Sequence, residues 1–360
     1  MKVCILGEGL VGLTLANVLI KKGISVDILS HSKNKKYTKT RFVGISKSNI
    51  DYFNKNIINI NKILWNIKNI KVYTENYSNN EILNFTNNNQ QIFSIIKNND
   101  LYKVLNKNLK KSKILKFKDS LALKTILKNE YQLIINCDPK HEITKSFFSK
   151  KYEKKYNSYA YTAVINHKKI SDNDTAIQNF TNKGPIAFLP ISNSKTSVVY
   201  SLRTNNNENK IDIIKLIKKY NPKYLITDIS GYDKFELKSS NLRNYYKDNI
   251  LAFGDLLHKN HPLAGQGLNM SIRDIISLSG LIEEKINIGL DLDSSICHEF
   301  QKIAQDKNLL FSTGIDWIYE LFNFESKINS QVISKSIKII GKNKSINSLF
   351  KKFADKGLRV

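Results

Sequence analysis

With 360 residues, 41% of them hydrophobic and 24% charged, the chain can bury one large or two ordinary cores, and no run approaches the ~18 apolar residues of a membrane span. Its net charge of +26 comes from lysines spread along nearly the whole length, with no helix-turn-helix, RRM or KH signature, so no specific nucleic-acid partner is expected, whereas attraction to an anionic membrane surface is. The three cysteines, Cys4, Cys137 and Cys297, lie far apart with no CxxC, which argues against structural zinc or a disulfide framework and fits a reducing cytoplasm.

The amino terminus reads as a core strand, not a signal peptide. Residues 2–29 form a βαβ unit, with KVCIL as strand, GEGLVG as turn, LTLANVLIKKG as helix and ISVDIL as second strand. Gly7 allows the tight turn, Gly9 lets the backbone approach a pyrophosphate, and Gly12 lets the helix pack closely on the strand. Leu10 and Val11 fill the first helical turn.

Residues 46–54 predict a helix, and Trp65 the end of another short one. Residues 72–85 give two strands split by a polar turn, 92–96 a strand, and 100–109 a helix with Leu101, Val104, Leu105 and Leu109 on one face. Leu115 and residues 121–126 are weaker strands. Residues 132–137 are a continuous apolar run, suited to a strand buried on both faces of a parallel sheet, and end in Asp138-Pro139.

The character then changes. Residues 156–167, 175–181, 186–189 and 196–202 are strand signals in close succession, which predicts an inserted, mainly antiparallel sheet. A helix follows at 211–220. Residues 249–270 return to the first pattern: a short buried strand, Gly254-Asp255, a loop, and Gly265-Gln266-Gly267 opening a long helix. A strand-end carboxylate can take polyol hydroxyls, and the free N–H groups of a helix start favour electron-rich or anionic atoms. The rest is helical, ending in two amphipathic stripes, Ile333, Ile337 and Ile340, then Ile346, Leu349, Phe350 and Phe353, with lysines opposite. Packing against the body is favoured over a membrane-surface role for these stripes.

The expected fold is α/β: a Rossmann-like nucleotide domain, an inserted mainly antiparallel β-sheet substrate domain, and a helical C-terminus. The expected division is 1–70, 91–155 and 246–290 for the nucleotide domain, 71–90 as an excursion into the substrate domain, 156–245 as its sheet, and 291–360 as terminal helices.

These residues resemble the single-component FAD-dependent aromatic hydroxylases, specifically the ubiquinone-biosynthesis hydroxylases. The resemblance runs over nearly the full length. It rests on GEGLVG at 7–12, Arg41 in TRFVGISKS, AIQNFTNKGPIAFLPI at 176–191 and GDLLHKNHPLAGQGLN at 254–269. It implies a Rossmann-like FAD-binding domain, with Gly7, Gly9, Leu10, Val11 and Gly12 at the diphosphate and Asp255 on the ribityl chain. It also implies that backbone N–H groups of Gly267, Leu268 and Asn269, in the helix start with Gly265 and Gln266, face the flavin pyrimidine edge. Pro262 and Leu263 would lie by its reactive face, and Arg41 near the pyrophosphate or the flavin entrance. The implied chemistry is reduction of FAD by NAD(P)H, use of O2, and transfer of OH to an electron-rich prenylated phenol in ubiquinone synthesis. The implied setting is cytoplasmic and peripheral to the inner membrane, with other ubiquinone-synthesis proteins as partners.

Three positions depart from the family pattern. Ser30, at the end of the second strand, stands where an acidic residue usually binds the adenosine ribose, and its hydroxyl is expected to bond a ribose hydroxyl in that place. Glu8 puts a carboxylate inside the glycine fingerprint, close to where a diphosphate lies. Asp138, which the resemblance also implies at the cofactor, is followed by Pro139 where the family has glycine, and proline lacks the N–H and the φ freedom of glycine. They motivate a second reading, a flavin-poor relative acting as a non-catalytic partner in a ubiquinone-synthesis complex.

His258 and His261 form an HxxH pair without a third ligand nearby, so a loop-structuring role is expected rather than a metal site. His167 and His298 are expected to be structural. Tyr159, Tyr161, Phe180 and Phe188 alternate on strands, and some are expected to line a substrate cavity while others are core.

Overall fold

The computed structural model describes residues 1–30, 41–77, 80–86, 90–119, 123–128, 131–203, 212–261, 263–328 and 330–358. The chain opens with β1 (Lys2–Leu6), α1 (Leu10–Lys21) and β2 (Ser25–Ser30). There follow β3 (Phe42–Ser46), α2 (Lys47–Asn56), β4 (Leu64–Ile67), β5 (Asn69–Thr74), β6 (Asn80–Thr86), β7 (Phe93–Lys97), α3 (Asn98–Leu109), β8 (Leu115–Asp119), α4 (Leu123–Lys128), β9 (Leu133–Asn136) and α5 (Glu142–Phe147). The middle of the chain is β10 (Lys151–His167), β11 (Thr175–Thr181), β12 (Gly184–Ser192), β13 (Lys195–Arg203), α6 (Ile213–Lys219) and β14 (Ile226–Leu242). Short strands β15 (Tyr246–Lys247), β16 (Ile250–Ala252) and β17 (His258–Lys259) lead into α7 (Gln266–Asn287), α8 (Ser294–Lys327), α9 (Val332–Lys342) and α10 (Lys344–Lys356).

The expected α/β class is what the structure has. The nucleotide layer is a sheet in the order β15-β16-β9-β1-β2-β8, parallel except for the β15–β16 hairpin. Its central strands are apolar throughout because helices cover both faces; Val3, Cys4, Ile5, Leu6, Leu133 and Leu251 are sealed in one core with α1, α3 and α7. Asp27 of β2 is a buried charge in that layer. Burial alone would raise its pKa, but bonds from Lys118, Tyr131 and Lys2 hold the carboxyl below its ordinary value.

The second layer is a sheet in the order β17-β14-β10-β13-β12-β11-β5-β6, antiparallel except for the β11–β5 pair. One face packs on α6 through Ile165, Phe188, Val198, Tyr200 and Ile217. The other meets the helical end of the chain through Val72, Phe180, Leu263, Met270, Phe311, Ile315 and Phe322. A small sheet, β3-β7-β4, stands beside the nucleotide layer.

Several local expectations change. Trp65 lies in β4, not at a helix end, and its indole N–H donates to the Asn173 carbonyl at 2.8 Å. Residues 123–128 are helix α4, not strand, while 120–122 lie outside the described residues. The 17-residue β14 is a strand that the sequence hides. It carries Gly231 and several charges, and only every second residue turns inward, so its apolar signal is thin. The two terminal stripes divide: Ile337 and Phe353 pack into the core under the second sheet, while Ile340, Leu349 and Phe350 are exposed.

Candidate active site

Two helices of the nucleotide layer begin without help from a side chain. The N-cap of α1 is Gly9 and that of α7 is Gly265, neither makes a side-chain capping bond, and neither first turn holds an acidic residue. Each therefore presents uncapped N–H groups, the arrangement that suits an anion or an electron-rich ring edge. Around Gly9 a Cβ would meet nothing within 4 Å, and the same holds at Gly267, so both helix starts face open space. The backbone at Gly265 is left-handed (φ 61°), which glycine adopts without strain.

Gly12 is a tighter requirement. A Cβ there would lie 2.3 Å from the Gly7 carbonyl oxygen, so only glycine lets α1 close on the turn. Gly7 (φ +97°) in turn abuts Asp138, whose Cβ would be 3.2 Å away from a Cβ at position 7. Leu10 and Val11 pack against the nucleotide core. Val11 also touches Gly254, where a Cβ would approach its Cγ1 to 3.1 Å. That contact brings the short 3-10 turn Gly254–Leu256 to the first turn of α1. Asp255, in that turn, is exposed. Its carboxylate and that of Asp138 both bear on Cys137, whose thiol is pushed up first by burial and then by these two charges. One sheet edge therefore gathers the α1 start, Asp255 and Asp138.

Asp138 has local work despite Pro139. Its Oδ1 accepts the Lys140 N–H at 2.9 Å and its carbonyl accepts the Thr144 hydroxyl at 2.8 Å. Asn269 is a clamp. Its Oδ1 accepts from the Ser46 N–H and from Asn49 Nδ2, both at 2.9 Å, and its Nδ2 donates to the Gly44 carbonyl at 3.1 Å. Helix geometry leaves the N–H groups of Gly265, Gln266, Gly267 and Leu268 unpaired within α7, whereas that of Asn269, the fourth helical residue, turns back toward Gly265. Gln266 and Leu263 are buried, the latter among the apolar side chains under the second sheet, and Leu268 packs on the nucleotide core. Arg41 is exposed, with its guanidinium 5.2 Å from the centre of the Phe235 ring of β14. Pro262 lies outside the described residues.

The two loop histidines go separate ways. His258 Nε2 is 2.6 Å from Asp274 Oδ2, and Asn308 donates to the other Asp274 oxygen at 3.0 Å. His261 Nδ1 accepts the Leu263 N–H at 3.2 Å, which assigns the ring proton to Nε2 in the neutral form. The ring sits edge-on to Tyr156 at 5.0 Å and tilted against Tyr319 at 4.4 Å. Burial pushes its pKa down to about 3, and its Nε2 has no hydrogen-bond partner among the described residues. Beside it Tyr156 donates to Asp316, which also accepts from Ser239. No group of three or more His, Cys, Asp or Glu able to hold a metal occurs among the described residues. His167 bonds Thr196 at 3.1 Å, a structural role. Phe188 is core against α6, and Phe180 stacks on Phe322 at 3.7 Å.

Sequence reasoning did not foresee where Glu8 points. Its Oε2 accepts from Ser30 Oγ and its Oε1 from the Tyr102 hydroxyl, each at 3.1 Å. The carboxylate is thus drawn to the tip of β2.

This is the architecture of the FAD-dependent monooxygenases. It is similar to Klebsiella pneumoniae HpxO complexed with FAD and uric acid, with a TM-score of 0.77 at 12% identity over 99% of this chain and 97% of that one. It is also similar to p-nitrophenol 4-monooxygenase PnpA from Pseudomonas putida, with a TM-score of 0.76 at 14% identity over 99% of this chain and 98% of that one. Residues 132–287 match the model of the FAD binding domain family.

In sequence the chain is similar to proteins of ubiquinone biosynthesis. It is 26% identical over 190 residues to the ubiquinone biosynthesis monooxygenase COQ6 of Dictyostelium discoideum, covering 42% of this chain and 38% of that protein. It is 25% identical over 234 residues to that of Xenopus tropicalis, covering 53% and 50%. To the 3-demethoxyubiquinol 3-hydroxylase of Escherichia coli it is 28% identical over 158 residues, covering 42% and 40%. The aligned chain spans half or less of the length of each of these relatives.

Proposed function

We propose that this chain is an FAD-dependent monooxygenase that hydroxylates a polyprenylated phenol ring in ubiquinone biosynthesis, using NAD(P)H and O2. The observation that carries the reading is a pair of uncapped helix starts, of which that of α1 is joined to the Asp255 turn by the Val11–Gly254 contact. The residues present fit the cofactor: open space at Gly9 and Gly267 next to free N–H groups suits a diphosphate and an electron-rich ring edge. Gly7, Gly9, Leu10, Val11 and Gly12 would hold the diphosphate, Asp255 the ribityl hydroxyls, and the α7 start from Gly265 to Leu268 the pyrimidine edge, with Asn269 clamping that start in place. Leu263 and Pro262 would shield the reacting ring from water, and Arg41 would guard the entrance. When bound and reduced, FAD supplies the oxygen-activating chemistry, while the protein positions the phenol ring and keeps the site dry.

A prenylated phenol partitions into lipid, yet among the described residues no helix is long and apolar enough to cross a membrane. Exposed Leu349 and Phe350 stand on α10 with Lys344, Lys351, Lys352 and Lys356, which supports peripheral docking on an anionic surface, with other ubiquinone-synthesis proteins as further partners. The test is the absorption spectrum of the purified chain after incubation with FAD. A band near ~450 nm in the protein fraction is the expected result, since oxidised flavin is the cofactor class at issue. A chain that stays colourless would remove the enzymatic reading and leave the non-catalytic partner.

A further inference from the structure

We propose that Glu8 is the residue that holds the adenosine ribose of the cofactor, reaching from inside the glycine loop to the end of β2. This rests on the FAD reading above. In βαβ dinucleotide sites a carboxylate about twenty residues beyond the glycine loop accepts the ribose hydroxyls at the end of the second strand. This chain has no such residue there: no Asp or Glu occurs from Ile28 to Ile50. Glu8 and Asp27 are the only carboxylates in the first fifty residues. Asp27 is not available, being buried in mid-sheet and bound by Lys118 and Tyr131, both at 2.7 Å.

Glu8 supplies the missing group by a different route. Its carboxylate lies 3.1 Å from Ser30 Oγ, so it stands at the strand end where the usual carboxylate would be rooted. The Ser30 and Tyr102 hydroxyls donate to one oxygen each and fix the plane of the group. A carboxylate is an acceptor only, which suits ribose hydroxyl donors. Ser30, on this account, does not contact the cofactor as its main task. It is a positioning residue that orients Glu8. A carboxylate in the glycine loop would repel a diphosphate if it pointed there, and the two hydroxyls draw it aside.

The test is a cycle of two proteins and two cofactors, read as dissociation constants from flavin fluorescence. Intact protein and Glu8→Gln are each titrated with FAD and with FAD lacking the 2′-hydroxyl of its adenosine ribose. The intact protein should bind FAD about tenfold more tightly than the analogue, the difference expected between a charge-assisted bond and none. Glu8→Gln should lose most of that preference. The exchanged variant, Glu8→Gly with Ser30→Glu, should recover FAD affinity lost in Glu8→Gly alone. A preference for FAD over the analogue that is equal in both proteins would overturn the assignment, because a purely structural Glu8 weakens both cofactors alike. Tighter FAD binding by Glu8→Gln would also overturn it, showing repulsion instead. Failure of the intact protein to bind either flavin defeats the FAD reading itself, a result distinct from both.

Discussion

His261 gives the sharpest quantitative expectation. Its ring is sealed between Tyr156 and Tyr319, and burial lowers its pKa from 6.5 to about 3, with Glu320 pulling weakly the other way and Lys154 adding to the fall. The unfolded chain takes up a proton near the ordinary value, whereas the folded chain refuses it until about pH 3. Between those limits the unfolded state binds more protons, so stability rises with pH and is lost as pH falls below about 6.5. At 1.36 kcal/mol per pH unit, the loss from this one group at pH 5 is about 2 kcal/mol. In His261→Gln that loss should vanish, while the glutamine oxygen can still accept the Leu263 N–H. The measurement is urea unfolding of both proteins at pH 7.5 and pH 5. Other titrating groups contribute equally to both, so the parent should lose about 2 kcal/mol more than the variant over the interval. Parallel losses in the two proteins would refute the reasoning and mean that the imidazole is protonated in the fold.

Three further outcomes are expected. Asp255→Ala should weaken FAD binding by about 1.5–3 kcal/mol, the range for hydrogen bonds to a charged group, in a titration at limiting cofactor; unchanged occupancy would remove Asp255 from the ribityl chain. Gly12→Ala should cost about 1–3 kcal/mol in urea unfolding even without cofactor, because the new methyl meets the Gly7 carbonyl at 2.3 Å and α1 must move; an unchanged midpoint would show that the turn gives way freely. The intact chain should sediment with anionic liposomes at low salt and be released as salt rises. Leu349→Ser with Phe350→Ser should weaken that binding without changing the unfolding midpoint, since both side chains are exposed, and equal sedimentation would place docking elsewhere.

Much of the fold was legible where periodicity and punctuation agree. The apolar runs of β1 and β9 are continuous because each is covered on both faces, and GEGLVG marks a turn with residues that only a few backbones accept. Residues 175–181 were placed to the residue, as β11, because polar turns bound them on both sides. β14 escaped because it is exposed along one face and charged, so its two-residue alternation is nearly silent in hydropathy. Segment 123–128 was misread for a related reason: LKTILK is short enough for its apolar residues to suit either period.

The candidate site was legible in parts but not in its joints. Single motifs announced Gly7, Gly9, Gly12, Asp255 and the Gly265–Gly267 turn, since each needs only a local backbone to make its meaning clear. What joins them is carried by pairs far apart in sequence: Val11 on Gly254, Gly265 beside Gly44, and Asn269 bonded to Ser46 and Asn49. No periodicity encodes such contacts. Glu8 shows the consequence. Read along the chain, it is a negative charge in a loop meant for phosphate, and Ser30 is a carboxylate lost. Read in space, the Ser30 hydroxyl donates to the Glu8 carboxylate at 3.1 Å. A residue that breaks a local rule is therefore better judged by what lies within reach of its end than by the motif in which it sits, because a long side chain belongs chemically to the place where its charge is held.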